Sequence, residues 1–265
     1  MRVLDWQEFI GAASPGGAPE KAAMTIGVFD GVHRGHQALI EKIVRHGSCP
    51  TVITFRRNPK WVLSPETYEG DIFSLDQKLA VFERRGVYRT VLIDFSGDFS
   101  KLKGREFIDL LIQRGNLSYL AIGSNFRCGY RLDTDAAGIK GMTEARGIVT
   151  EVVSPVCDGL DLVSSSRIRA AISAGDFAGA AAALGRNVAI DLGGISGIPV
   201  PEGVLWDTAS ARRIIPPDGR YVVLVYTPAH GTEGKKTEIF IKDGKISIPS
   251  PSNAGIRVEF LLSSQ

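Results

Sequence analysis

The 265-residue sequence is short of the residues that build metal centres and covalent frameworks, with three cysteines (Cys49, Cys128 and Cys157) and four histidines. An odd cysteine count without a CxxC pair excludes a disulfide framework, and so few histidines leave a structural zinc site without ligands. The three thiols are expected to be free. An excess of charge is also lacking, since 31 Lys and Arg against 29 Asp and Glu leave a formal charge of +2. A field that weak argues against nucleic acid or an anionic membrane as the main partner, so any charge that binds phosphate must be local. Long apolar runs are missing too. The longest extends only from Tyr221 to Tyr226, far short of the roughly 20 residues that span a bilayer. The opening MRVLDWQEFI has no basic stretch followed by an apolar one, as a secretory signal requires. A soluble, cytoplasmic protein is the expectation.

What is present is a globular composition, 44% hydrophobic and 23% charged, and a length suited to one large domain or two of roughly 100 to 200 residues. From Met24 to about Arg186, short β-branched or aromatic runs alternate with segments of helical period. MTIGVF, TVITF, TVLIDF, YLAIG and IVTEVV read as five strands. Between them, HQALIEKIVRHG places Leu39, Ile40, Ile43 and Val44 on one face and ends on Gly47, a left-handed stop. SLDQKLAVFERRG opens with Ser74 and Gln77 at capping-box spacing and carries the stripe Leu75, Leu79, Phe82. GREFIDLLIQRG is a further amphipathic helix and DAAGIKGMTEARG a weaker one. Strands separated by helices of this length imply βαβ units and a doubly wound parallel sheet, an α/β fold.

After Gly185 the helical stripes give way to Gly, Pro and short apolar runs: VLWDT, RYVVLVYTPAHG, TEIFIKDGKISIPS and GIRVEFLL. The Asp-Gly pair in IKDGKI, flanked by Ile239, Ile241, Ile246 and Ile248, predicts a tight hairpin. A small antiparallel β unit of five or six strands is expected, too small to hold a large core alone and so leaning on the first domain. The expected domains are residues 1–186 and 187–265.

The most informative stretch is GVFDGVHRGHQALI, residues 27–40, between the first strand and its helix, where open α/β sheets bind ligands. Gly31 and Gly35 permit close approach of backbone to ligand. His33 and His36, three apart at the opening of a helix, share a face beside N–H donors and the positive end of the helix dipole. The spacing suits neither an HExxH zinc site nor a Ser-His-Asp triad. It suits transfer of a phosphate-linked group, in which charge growing on an α-phosphate needs fixed donors. SSSRIR, residues 164–169, has a second such geometry: Ser164 and Ser165 cap a helix beginning near Ser166, beside Arg167 and Arg169.

GVFDGVHRGH resembles the nucleotidylyltransferase signature of the bacterial FAD synthetase family, bifunctional riboflavin kinase/FMN adenylyltransferases, whose form is close to GxFDGVHxGH. VITFRRNPKWVL, LAIGSNFRCGYRLDTD and VSSSRIRAAISAGDFAGAAAALGR are similar to later family segments in the same order, and the resemblance covers roughly residues 20–190. It implies a Rossmann-like nucleotidylyltransferase domain that makes FAD and pyrophosphate from ATP and FMN with Mg²⁺ on the nucleotide. By that resemblance Gly27, Phe29, Asp30, Gly31, His33, Gly35 and His36 serve ATP, together with Ser164, Ser165 and Arg169. His33, His36 and Arg169 carry the chemistry, with no certain metal ligand on the protein. FMN falls to Asn58, Asn125, Phe126, Arg127 and Asp135.

The chain departs from the family pattern at several points. Asn58 stands where a His is frequent, Arg56 and Arg57 where an acidic residue and Pro are usual, Cys128 for a Phe and Thr134 for a Gly. The family's kinase barrel carries a GxPTAN segment and a catalytic Glu. Here GIPVPEGV, residues 197–204, lacks the Thr and Asn, and Glu259 stands near the end of the sequence. The expected activity is therefore adenylyl transfer without riboflavin phosphorylation, with the tail a degenerate relic of the barrel. Two alternatives stay open on the residues: transfer to another phosphate acceptor, since HxGH is shared by several families, and a non-catalytic flavin- or nucleotide-binding protein.

Overall fold

The structure, a computed structural model, describes residues 1–11, 20–47, 49–95, 97–227, 233–249 and 256–262. Residues 228–231, 250 and 255, which end or open three of the strand-like stretches read from sequence, lie outside these. The chain divides into two compact units, residues 1–66 with 78–157, and 67–77 with 158–265.

The first unit is built on a six-stranded sheet of β1 (Arg2–Asp5), β2 (Ala22–Ile26), β3 (Thr51–Phe55), β4 (Arg89–Ile93), β5 (Leu117–Gly123) and β8 (Val149–Val153). Their order is β1-β4-β3-β2-β5-β8, and every adjacent pair is parallel. All five residues of β2, AAMTI, are buried, as a strand covered on both faces requires. The helices α1 (Trp6–Gly11), α2 (Arg34–His46), α3 (Pro59–Leu63), α4 (Leu75–Arg84), α5 (Gly104–Gly115) and α6 (Ala136–Glu144) lie along the connections. Leu39, Ile40 and Ile43 of α2 are buried, and Gly47 stops that helix with φ 90°. At α4, Ser74 N–H donates to Gln77 Oε1 at 2.9 Å and Gln77 N–H donates to Ser74 Oγ at 3.0 Å, the reciprocal box that the spacing predicts. Ile53, Val91, Ile108, Leu111, Leu120 and Ile122 form the heart of the core. The path runs from β2 outward through β3 to β4, then returns to β5 on the other side. The end of β2 is therefore the switch point.

The sheet has six strands where five were expected. RVLD of β1 is four residues long and mostly exposed, so neither alternation nor an apolar run marks it. Trp6 and Phe9 of α1 anchor it instead. The first strand also ends at Ile26 rather than at Phe29, because Phe29 turns left-handed at φ 54°.

Short ladders follow: β6 (Arg127–Cys128) with β7 (Thr134–Asp135), and β9 (Cys157–Asp158) with β10 (Asp161–Leu162). The second unit then contains α7 (Ser165–Ser173) and α8 (Phe177–Leu184), and the strands β11 (Ala189–Asp191), β12 (Ile198–Val200), β13 (Gly203–Asp207), β14 (Gly219–Tyr226), β15 (Lys235–Lys242), β16 (Lys245–Ile248) and β17 (Arg257–Phe260). These make one seven-stranded sheet, β11-β17-β14-β15-β16-β13-β12, antiparallel throughout. Five or six strands were expected; β11 and β12, three residues each, are too short for alternation to reveal. Asp243 and Gly244 take φ 51° and 70°, the two positive values of a type I′ turn, and Lys242 faces Lys245 across it. Ile239, Ile241, Ile246 and Ile248 are buried as the alternation predicts, with Trp206, Val223, Val258 and Phe260. Phe177 of α8 stacks on Phe260 with ring centroids 4.5 Å apart, which ties the helices after Ser164 to this sheet.

Candidate active site

The loop after β2 is shaped by a run of positive φ angles, 54° at Phe29, 74° at Gly31 and 37° at Val32. Two of the three are not glycine, so neighbours must hold them there. Phe29 is fully buried; its ring meets Phe82 edge-on at 5.6 Å and His36 at 5.0 Å. It serves the loop from beneath. Asp30 is buried and opens a short 3₁₀ turn. Gln37 Nε2 donates to the Val32 carbonyl at 2.9 Å, which closes the loop onto the first turn of α2.

His33 is the N-cap of α2 and only 7% exposed. Its Nδ1 accepts the His36 N–H at 3.4 Å, and the two rings stack with centroids 3.6 Å apart. An accepting Nδ1 assigns the proton of the neutral ring to Nε2, which is then a donor. The two imidazoles are thus one stacked unit at a helix N-terminus. The sequence places both on one face but does not reveal that one caps the helix under the other. Gly27 donates its N–H to Ile53 O at 3.1 Å, while Gly35 lies inside α2.

Behind the loop sits a residue that the sequence reading passed over. Lys78 of α4 is 8% exposed, and its Nζ donates to Phe55 O at 3.0 Å, Val28 O at 3.2 Å and Thr54 Oγ1 at 3.5 Å. The signal was available, since Lys78 lies three residues from Leu75 and four from Phe82, a charge on the stripe side of its helix.

Of the residues expected to serve FMN, Asn58 is buried as the N-cap of α3, its Oδ1 accepting from Lys60 N–H at 3.1 Å. The unusual arginines beside it have partners. Arg56 bridges Asp5 and Asp94, at the carboxyl ends of β1 and β4, and Arg57 lies over the Trp61 ring at 5.1 Å. Asn125, Phe126, Arg127 and Asp135 are held together in one loop. Asn125 is exposed, Phe126 packs on the core, and Arg127 Nε donates to Leu132 O at 3.2 Å. Asp135 caps α6 by accepting from Gly138 N–H at 2.9 Å. Gly129, at φ 85°, faces the Gly104 backbone so closely that a Cβ would collide. Asp133 Oδ1 accepts the Gly104 N–H at 3.0 Å and so pins the loop to α5. Burial first, and the Asp133 carboxylate second, push the Cys128 thiol up to about 12.

In the second unit, Ser164 rather than the pair Ser164–Ser165 caps α7, accepting from Arg167 N–H at 3.2 Å. The helix therefore begins at Ser165, one residue before the expected start. Arg167 faces Asp158 at 3.5 Å and Asp161 at 3.8 Å. Arg169 is 6% exposed and donates from Nε to Gly70 O at 2.8 Å, which orients its guanidinium. Glu259 accepts from Asn187 Nδ2 at 3.1 Å. Among the described residues, no three His, Cys, Asp or Glu side chains gather as metal ligands, and no helix is long and apolar enough to cross a membrane.

The chain is 32% identical over 210 residues to the bifunctional riboflavin kinase/FMN adenylyltransferase of Pseudomonas fluorescens, covering 76% of this chain and 67% of that protein. It is 30% identical over 176 residues to the FAD synthetase of Listeria monocytogenes, covering 63% of this chain and 72% of that one. A solved structure described as a macrolide-efflux protein from Streptococcus pneumoniae shares the fold, with a TM-score of 0.79 and 23% identity over 98% of this chain and 90% of that one. The FAD synthetase family model matches residues 17–167, the stretch that holds the loop after β2 and every residue expected to serve FMN, and the chain belongs to the FAD synthetase family.

Proposed function

We propose that the chain is an FMN adenylyltransferase, making FAD and pyrophosphate from ATP and FMN. The observation that carries this reading is the stacked His33–His36 pair at the N-terminus of α2, directly after the switch-point strand, in a member of the FAD synthetase family. An oxygen of the FMN phosphate attacks the α-phosphorus of ATP. As that P–O bond forms, the bond from the α-phosphorus to the oxygen bridging to the β-phosphate breaks, and its electron pair leaves on pyrophosphate. The nucleophile is already ionised at neutral pH, so positioning and charge stabilisation are the catalytic tasks.

The His33 Nε2–H, His36 and the positive end of α2 hold the α-phosphate. Gly27, Gly31 and Gly35 shape the loop, and Phe29 supports it. Arg169 with Ser164 and Ser165 holds the departing phosphates. Asn58, Asn125, Phe126, Arg127 and Asp135 contact FMN. Mg²⁺ neutralises the triphosphate when bound, and needs only one or two carboxylates from a protein; Asp30 is the loop carboxylate that would hold it. Residues 1–186 form the transferase domain, and residues 187–265 pack without phosphorylating riboflavin. The cytoplasm is the proposed location.

Incubating the purified chain with ATP, Mg²⁺ and FMN, followed by chromatography, tests the reading. FAD and pyrophosphate should appear in equal amounts. Folded protein that yields no FAD refutes it.

A further inference from the structure

The phosphate loop has to hold Phe29 and Val32 at positive φ, a strained conformation that only its surroundings can maintain. Helix α4 touches it at two points one turn apart. Phe82 meets the Phe29 ring, and Lys78 Nζ donates to the Val28 carbonyl, the last before the left-handed run. The Val28 carbonyl also accepts from Thr54 Oγ1 at 3.1 Å. The same ammonium reaches Phe55 O and Thr54 Oγ1, at the end of β3 where the Arg56–Asn58 turn begins. Lys78 therefore joins the carboxyl ends of two neighbouring parallel strands, just where each chain leaves the sheet for a ligand loop. A tetrahedral ammonium offers three N–H donors to three acceptors, whereas a planar guanidinium presents its donors in a fork. The charge also adds a fixed positive field behind a loop read as an anion site.

We propose that Lys78 is a positioning residue for adenylyl transfer: by clamping Val28 and the end of β3, it holds the His33–His36 loop in the geometry that the transition state requires. The inference rests on the adenylyltransferase reading above. Its action runs through the loop and not through contact with substrate, so it should appear in kcat more than in ground-state binding.

The test uses the full chain in steady-state FAD synthesis from ATP, FMN and Mg²⁺, comparing wild type with Lys78→Met, Lys78→Arg and Thr54→Val, each with a thermal melt. Lys78→Met should lower kcat on the order of 10- to 100-fold, as misplaced reacting groups do, while KM for FMN stays nearly constant. Lys78→Arg should not restore the rate. Thr54→Val, which keeps the lysine but removes one member of the clamp, should lower kcat roughly two- to tenfold. A folded Lys78→Met with wild-type kcat overturns the inference, as does a lowered melting temperature with unchanged turnover per folded molecule. If Lys78→Met does not fold, Thr54→Val decides: wild-type kcat overturns the clamp, and a reduced kcat at constant KM supports it. Wild-type protein that makes no FAD fails the parent reading instead, a result visible before any variant is measured.

Discussion

The two sheets differ in what the polar residues around them do. In the parallel unit, polar groups gather where strands end and helices begin: His33 caps α2, Asn58 caps α3, Asp135 caps α6, and Lys78 clamps the ends of β2 and β3. Around the antiparallel sheet they pair with strand residues instead, Asn187, just before β11, with Glu259, and Arg257 over the Tyr226 ring. Parallel strands all leave the sheet at one edge, where their loops and the capped helix N-termini gather. Antiparallel strands return through short turns and offer no such edge, so the second sheet is organised around its apolar face.

The largest effect that would sharpen this contrast is on stability. Trp206 is fully buried in the antiparallel sheet, and Trp206→Ala should cost about 3–5 kcal/mol in chemical denaturation. A loss below about 1 kcal/mol would mean that this unit is not held by its apolar face. Next comes the loop after β2: His33→Ala and His36→Ala should each lower turnover about 10²- to 10³-fold, roughly 3–4 kcal/mol, by analogy with losing one oxyanion donor. Ordinary turnover by both folded variants would break the link between helix start and chemistry. Arg169→Ala should then weaken ATP and pyrophosphate binding by about 1.5–3 kcal/mol, the range for charge-assisted hydrogen bonds, and FMN binding much less. Equal losses in separate titrations would move Arg169 to the acceptor side.

The smallest effect separates two thiols. With its thiol at about 12, Cys128 should carry roughly one thiolate in 10⁴ at pH 8, and its alkylation should climb about tenfold per pH unit up to that value. Exposed Cys157 should label first, as mass mapping after brief alkylation would show. Rapid labelling of Cys128 at pH 8 would contradict a thiol held that high.

Much of this was legible from local pattern. The Ser74–Gln77 box, the Gly47 stop, the Asp243–Gly244 hairpin and the alternating isoleucines depend on neighbours in sequence, and the structure places them as expected. The histidine pair was legible as a motif, but its stacking was not, because that depends on the backbone angles of Phe29 and Val32. Arg56 stands out only once Asp5 and Asp94 arrive from distant strands. Lys78 was hidden for the opposite reason. A stripe read from Leu75, Leu79 and Phe82 treats the charge among them as solvent-facing, yet Lys78 is more buried than either leucine.

The measurement that bears most directly on the account is the fate of two phosphorus labels in the same purified protein. With FMN as acceptor, label from the α-phosphate of ATP should enter FAD and label from the γ-phosphate should leave as pyrophosphate. With riboflavin as acceptor, neither label should enter a flavin. Transfer of γ-label to riboflavin would contradict the account, giving the second unit a kinase chemistry that its paired polar residues do not suggest, and α-label absent from FAD would remove adenylyl transfer from the first.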